Sequence, residues 1–200
     1  MKPILALFLG LVLSAPVFAA EQKPVLVVLT SHAQMGDTGK PTGFFLGELT
    51  HPLEVFEKAG VPVELASIQG GEPPVDGLDL QDEINKRYWN DPAFRAKLAA
   101  TKKLSDLDPA DYSAVFFSGG HGTMWDFPDD AAVQKFSREL YEADSPVGAV
   151  CHGPAALVNV KLSDGSYLVA GKEVSAFTND EEEKVETEEN KYSCGFSWAD

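Results

Sequence analysis

Val147-Gly148-Ala149-Val150-Cys151-His152-Gly153-Pro154-Ala155-Ala156-Leu157 is the stretch that decides the fold. An apolar run enters a cysteine, then Gly-Pro, then small residues of a helical kind. Ala149 and Gly153 flank Cys151 at minus and plus two, and small neighbours there permit a sharp strand-to-helix turn. Such a turn sets the sulfur at a helix N-terminus. The dipole and unpaired N–H groups there favour thiolate over thiol, so a lowered Cys151 pKa is expected. His152 beside it can act as base or proton shuttle. On the residues alone two other readings of Cys151 stay open. One is a small hydrophobe packed at a strand end; the other is half of a Cys151–Cys194 disulfide.

Outward from that turn, the chain repeats the same alternation. Val25–Leu29 is a continuous β-branched-rich run, as a strand buried on both faces should be. Val61–Ala66, Ala114–Phe117 and Val147–Val150 read as three more strands. Leu53–Lys58, Asp91–Ala100 and Asp130–Glu142 carry helical spacing between them. Asp91-Pro92 is a helix cap followed by proline at the first helical position, and Gly60 suits a left-handed helix end. Ile68–Asp82, polar and rich in Gly and Pro, reads as an ordered excursion within one domain. The alternation predicts an α/β fold, a flavodoxin-like parallel sheet with helices on both faces.

Ligands in such sheets bind beyond the carboxyl ends of the strands, and two further strand ends are unusual. Ser118-Gly119-Gly120-His121-Gly122-Thr123-Met124-Trp125-Asp126 follows the third strand. Its glycines let backbone N–H groups approach a ligand oxygen, which suits an oxyanion site better than a dinucleotide fingerprint. His121 could face the ligand or hold the loop. Thr42-Gly43-Phe44-Phe45-Leu46-Gly47-Glu48-Leu49-Thr50-His51-Pro52 places Glu48 in an apolar setting on the way into a helix. There it reads either as a surface glutamate or as a carboxyl that keeps its proton near neutrality.

The composition excludes several functions. Of 200 residues, 44 % are hydrophobic and 24 % charged, which is globular. Sixteen basic and 31 acidic residues leave a net charge of −15, which disfavours nucleic acids and anionic membranes as partners. Two cysteines cannot make a disulfide framework. The four histidines show no H-E-x-x-H spacing and there is no C-x-x-C, so no metal is expected. Residues 1–20, MKPILALFLGLVLSAPVFAA, have the charged start, apolar middle and small-residue end of a secretory signal peptide. Cleavage after Ala19 or Ala20 would leave a periplasmic or secreted protein with no membrane attachment. Residues 21–183 read as the domain and 184–200 as an atypical acidic tail.

Taken together, Thr42-Gly43 through Glu48-x-x-His51-Pro52, Gly119–Pro128, Val150–Ala155 and Phe177-Thr178-Asn179-x-Glu181-Glu182 resemble the ThiJ/PfpI superfamily. That is the class I glutamine-amidotransferase-like group, and the likeness is strongest to its glutathione-independent glyoxalase III and stress-chaperone branch. The resemblance spans roughly Pro24 to Glu183. It implies Cys151 as nucleophile, His152 as its partner, Glu182 as the acid orienting that histidine, and Glu48 as the acid on the sulfur. The backbone around Gly120 and His152 would hold the substrate oxygen, with Gly119, Gly120 and His121 as the candidate substrate- and oxyanion-binding residues. It further implies a cofactor-free conversion of methylglyoxal-type α-oxoaldehydes to 2-hydroxy acids, and a homodimer. A redox-sensitive holdase chaperone and a cysteine peptidase or amidase are the alternatives on this fold. The pattern normally continues with a helix, a strand and a final helix, so a truncated C-terminal part is expected here. Those segments would cover the site, so a truncation could leave it inactive.

Overall fold

The computed structural model describes residues 22–182. The signal peptide read at 1–20, the tail read at 184–200, and Cys194 with its disulfide lie outside those residues.

The chain builds β1 (Val25–Leu29), β2 (Phe44–Phe45), α1 (Leu46–Lys58), β3 (Val63–Ser67) and β4 (Val75–Asp76). It continues with α2 (Glu83–Trp89), α3 (Pro92–Ala99), β5 (Lys102–Lys103), β6 (Ala114–Phe117), α4 (Thr123–Asp126), α5 (Ala131–Glu142) and β7 (Val147–Ala149). Five strands form a parallel sheet in the order β5-β3-β1-β6-β7, and β2 pairs with β4 apart from it. The chain therefore works outward from β1 on one side, then crosses back to β6 on the other. The reversal of direction between β1 and β6 opens a crevice at their carboxyl ends.

All five residues of β1 are buried because both faces of the sheet are covered. Leu26 and Val28 pack with Val115, Phe117, Val133, Phe136 and Leu140 on the α5 side. Val27 and Leu29 pack with Phe44, Leu49, Leu53, Phe94 and Leu98 on the α1 side. Asp130 and Asp91 cap α5 and α3 by accepting backbone N–H bonds, as the sequence suggests. Gly60 follows the end of α1 at φ 69°.

Four expectations change. The first helix begins at Leu46 rather than Leu53, because Pro52 lies inside it instead of marking its start. Proline removes one intrahelical bond there, and burial of Leu46, Leu49 and Leu53 outweighs the loss. Residues 83–89 form α2, capped by the side chain of Asp82. The second strand starts at Val63, after Pro62. After Cys151 the chain makes a 3-10 turn at Gly153–Leu157, not an α-helix.

Candidate active site

β7 ends at Ala149, and Cys151 takes a left-handed backbone conformation, φ 57°. A non-glycine residue at positive φ costs free energy, and the surroundings must over-determine it. Two bonds do so. The N–H of Gly153 donates to the Val150 carbonyl at 2.7 Å, and the N–H of Phe177 donates to the Cys151 carbonyl at 3.0 Å. The turn aims Sγ out of the strand end, as the sequence reading requires.

β6 delivers the second wall. The N–H of Gly119 donates to Glu48 Oε2 at 2.9 Å, and its carbonyl accepts from the Phe45 N–H at 3.2 Å. Gly119 thus clamps the start of α1 against the end of β6. A Cβ at Gly119 would lie 2.4 Å from Glu48 Oε2, 2.6 Å from the Val150 carbonyl oxygen and 2.9 Å from the His152 nitrogen. Gly120, at φ 99°, passes equally close to the backbone of Gly43 and Phe44. The fully buried Thr123 hydroxyl sits 2.9 Å from the Gly120 carbonyl and 3.1 Å from that of His152, which ties this loop to the cysteine turn.

Around the sulfur, His152 Nδ1 stands 3.2 Å from Sγ, and the backbone N–H groups of His152 and Gly120 also face it. Glu48 hydrogen-bonds the sulfur from the other side. The far nitrogen of His152, Nε2, lies 3.1 Å from Glu182 Oε2, while His121 Nε2 lies 3.0 Å from Glu182 Oε1. The ring of His152 lies between two others, His121 at 4.3 Å and Phe177 at 4.5 Å between centroids.

The electrostatics correct one expectation. Burial, and then the charge of ionised Glu48, push the Cys151 thiol up to about 12, against the pull of the His152 and Gly120 N–H groups. The anticipated low thiol pKa therefore does not follow from the turn alone. The missing α-helix weakens the dipole, and Glu48 supplies an opposing charge. Glu48 is itself pushed up by burial, against the Cys151 bond, the Gly119 N–H and the charge of His121. A proton on Glu48 removes its charge from beside the sulfur and turns the carboxyl into a donor. Glu182 moves the other way. Burial would raise it, but the bonds from His121 and His152 hold it well below the usual carboxylate range.

Cys151, His152, Glu48, Glu182, Gly119, Gly120 and His121 are thus brought to one crevice. His121, expected beside a substrate oxygen, points its Nε2 at Glu182 instead. Sequence reasoning missed the part of Phe177, which holds both the cysteine carbonyl and the histidine ring. It also missed Asp126, which accepts from the Thr30 hydroxyl at 2.8 Å and the Ser31 N–H at 2.7 Å. Both residues stand inside the quoted motif blocks, but nothing local marks what they touch. His121, His152 and Glu182 also form a group able to hold a metal, which no spacing in the sequence announces.

Comparison with known proteins places the chain among relatives of similar sequence and fold. Residues 42–192 match the model of the DJ-1/PfpI family. Glyoxalase 3 of Candida albicans is 39% identical over 162 residues, which cover 78% of this chain and 69% of that protein. The glutathione-independent glyoxalase of Saccharomyces cerevisiae is 34% identical over 165 residues, 78% of this chain and 69% of the other. Among solved structures, the Rapid Encystment Protein 24 KDa of Francisella tularensis superposes with a TM-score of 0.79 at 38% identity, covering 82% of this chain and 74% of that one. Crystalline glyoxalase III from Candida albicans gives a TM-score of 0.72 at 35% identity, covering 85% and 76%.

Proposed function

The chain belongs to the DJ-1/PfpI family, and from that premise we propose that it is a glutathione-independent glyoxalase with Cys151 as its nucleophile. The observation that carries the reading is the placement of one sulfur between two differently tuned carboxyl systems, Glu48 on one side and His152–Glu182 on the other.

The chemistry balances without an oxidant. The sulfur adds to the aldehyde carbon of an α-oxoaldehyde while His152 Nδ1, 3.2 Å from Sγ, takes the thiol proton and passes it to the carbonyl oxygen; the C=O π bond opens and the new C–S bond gives a hemithioacetal. Glu48, in its ionised form, removes the proton from that carbon to give an enediol. Return of a proton to the neighbouring carbon leaves a thioester of the 2-hydroxy acid. Water, deprotonated by His152, cleaves the C–S bond and restores Cys151. The sum is aldehyde plus water to hydroxy acid. The N–H groups of Gly120 and His152, which face the sulfur at rest, are positioned to receive the oxyanion formed on attack. Glu182 keeps the His152 ring oriented and balances its charge.

The test is lactate formation from methylglyoxal by chelator-treated protein without glutathione. Wild type is expected to form lactate, and Cys151→Ser to lose turnover by about 10⁴-fold or more. Strict dependence on added glutathione, or an unimpaired Cys151→Ser, overturns the reading.

The periplasmic location and the homodimer are part of the same proposal. The order of residues 1–20 supports the first, and the N-terminal mass of the mature protein checks it by starting near Ala20 or Glu21. Sedimentation of the purified chain checks the second.

A further inference from the structure

We infer that His121, His152 and Glu182 form a zinc site whose occupancy arrests turnover. The arrest rests on the proposed role of His152; the binding does not. The three side chains come from separate segments, and their ligand atoms all lie within 4.8 Å of one another. Zinc bonds of about 2.0–2.2 Å put neighbouring ligand atoms of a tetrahedral ion roughly 3.3 Å apart. The two histidine nitrogens now stand 3.0 and 3.1 Å from the two oxygens of Glu182, near that spacing, while the widest pair of ligand atoms, at up to 4.8 Å, must close by as much as about 1.5 Å when the ion enters. Two imidazoles and one carboxylate are a zinc donor set that leaves a position for water.

The surroundings complete the case. A ligating histidine normally donates its other ring N–H to a neighbour, which fixes the tautomer. His152 meets that condition, because Nδ1 faces Cys151 Sγ at 3.2 Å while Nε2 faces the cluster. The side chains are 4 %, 20 % and 14 % exposed for His152, His121 and Glu182, so an entering ion is largely shielded yet reachable. The net charge of −15 draws divalent cations toward the molecule. Cys151 is not a ligand in this arrangement, since its sulfur lies against the opposite nitrogen of the same ring.

Zinc on Nε2 displaces the proton shared with Glu182 and occupies the lone pair. His152 is then locked as a donor to the sulfur and can no longer take up a proton from water. The thiol proton then has no acceptor on His152 during attack, and water has none during release of the acid, so turnover stops.

The experiment titrates zinc chloride into the metal-free full chain against a chromophoric chelator and follows Tm in parallel. One zinc per chain with micromolar or tighter affinity, and a raised Tm, is expected. His121→Asn and Glu182→Gln should each weaken binding about tenfold or more, and Cys151→Ser should leave it within about threefold. Cobalt in place of zinc should show no thiolate-to-metal charge-transfer band. Lactate formation should fall in proportion to zinc occupancy and return with chelator. Absence of a stoichiometric site, affinity unchanged in both His121→Asn and Glu182→Gln, or binding lost in Cys151→Ser overturns the inference. Circular dichroism confirms that each variant is folded. Metal-free protein that makes no lactate sinks the glyoxalase reading and leaves the binding result standing. Lactate with no zinc site sinks only this inference.

Discussion

The first turn of α1 and the helical turn at 179–182 each bring one glutamate to the same crevice, and the two end in opposite states. Glu48 meets the sulfur and one backbone N–H in an apolar wall, so burial favours its protonated form. Glu182 suffers burial too, but two histidine rings hold it ionised. Two carboxyls with pKa values driven apart can divide the labour of proton transfer. Glu48 is suited to moving a substrate proton, because both of its forms are accessible. Glu182 is suited to holding a charge beside His152 and never passing its own proton on.

Substitution by the amide should break that comparison unequally. Glu48→Gln keeps the shape but cannot accept a proton, so kcat should fall by about 10³–10⁴-fold with KM little changed. Glu182→Gln should cost about 10²-fold and should also slow iodoacetamide labelling of Cys151, because His152 loses its anchor. Equal losses with identical labelling would show that the two acids do one job.

Gly119→Ala sharpens the comparison from the backbone side. The added methyl would sit between Glu48 Oε2 and the rigid Val150 carbonyl, at 2.4 and 2.6 Å. Displacing Glu48 should cost about 1–3 kcal/mol of stability by denaturant unfolding and most of the turnover. A neutral effect on both would mean that Glu48 does not need its Gly119 bond.

The smallest effect concerns Asp126. Burial, opposed by the Ser31 and Thr30 bonds, pushes its carboxyl up to about 6 from an ordinary 3.8. The folded protein then binds a proton that the unfolded chain has already lost. Stability therefore falls as pH rises from about 4 to about 6, by up to about 3 kcal/mol for this group. Glu182 has the opposite sign, adding stability at neutral pH that is lost on acidification below the usual carboxylate range. Measured against wild type between pH 4 and 6, Asp126→Asn should lose the falling slope. A slope that persists in the variant assigns it elsewhere.

Much of this was legible in the sequence where the signal is local. Val25–Leu29 and Ala114–Phe117 form strands with the bounds their apolar runs suggest, and Asp130 caps α5 as its position implies. The cysteine turn was legible because small residues at fixed offsets leave few alternatives. The start of α1 was hidden by Pro52, since a local rule stops a helix where tertiary burial carries it on. α2 was missed although Asp82 offered a cap. The pairing of His121 with Glu182 joins residues 61 apart, and no spacing encodes it. The Cys151 pKa went the other way for the same reason, because its burial and the Glu48 charge come from distant segments.

The most direct test of the division between the two acids follows one turnover of methylglyoxal in Glu48→Gln, with intact-protein mass and lactate read together. The account predicts that Cys151 still adds the aldehyde, so a one-substrate adduct accumulates while lactate lags wild type by about 10³-fold. Cys151→Ser should show neither adduct nor lactate. Lactate from Glu48→Gln within a few-fold of wild type would contradict the claim that Glu48 moves the substrate proton.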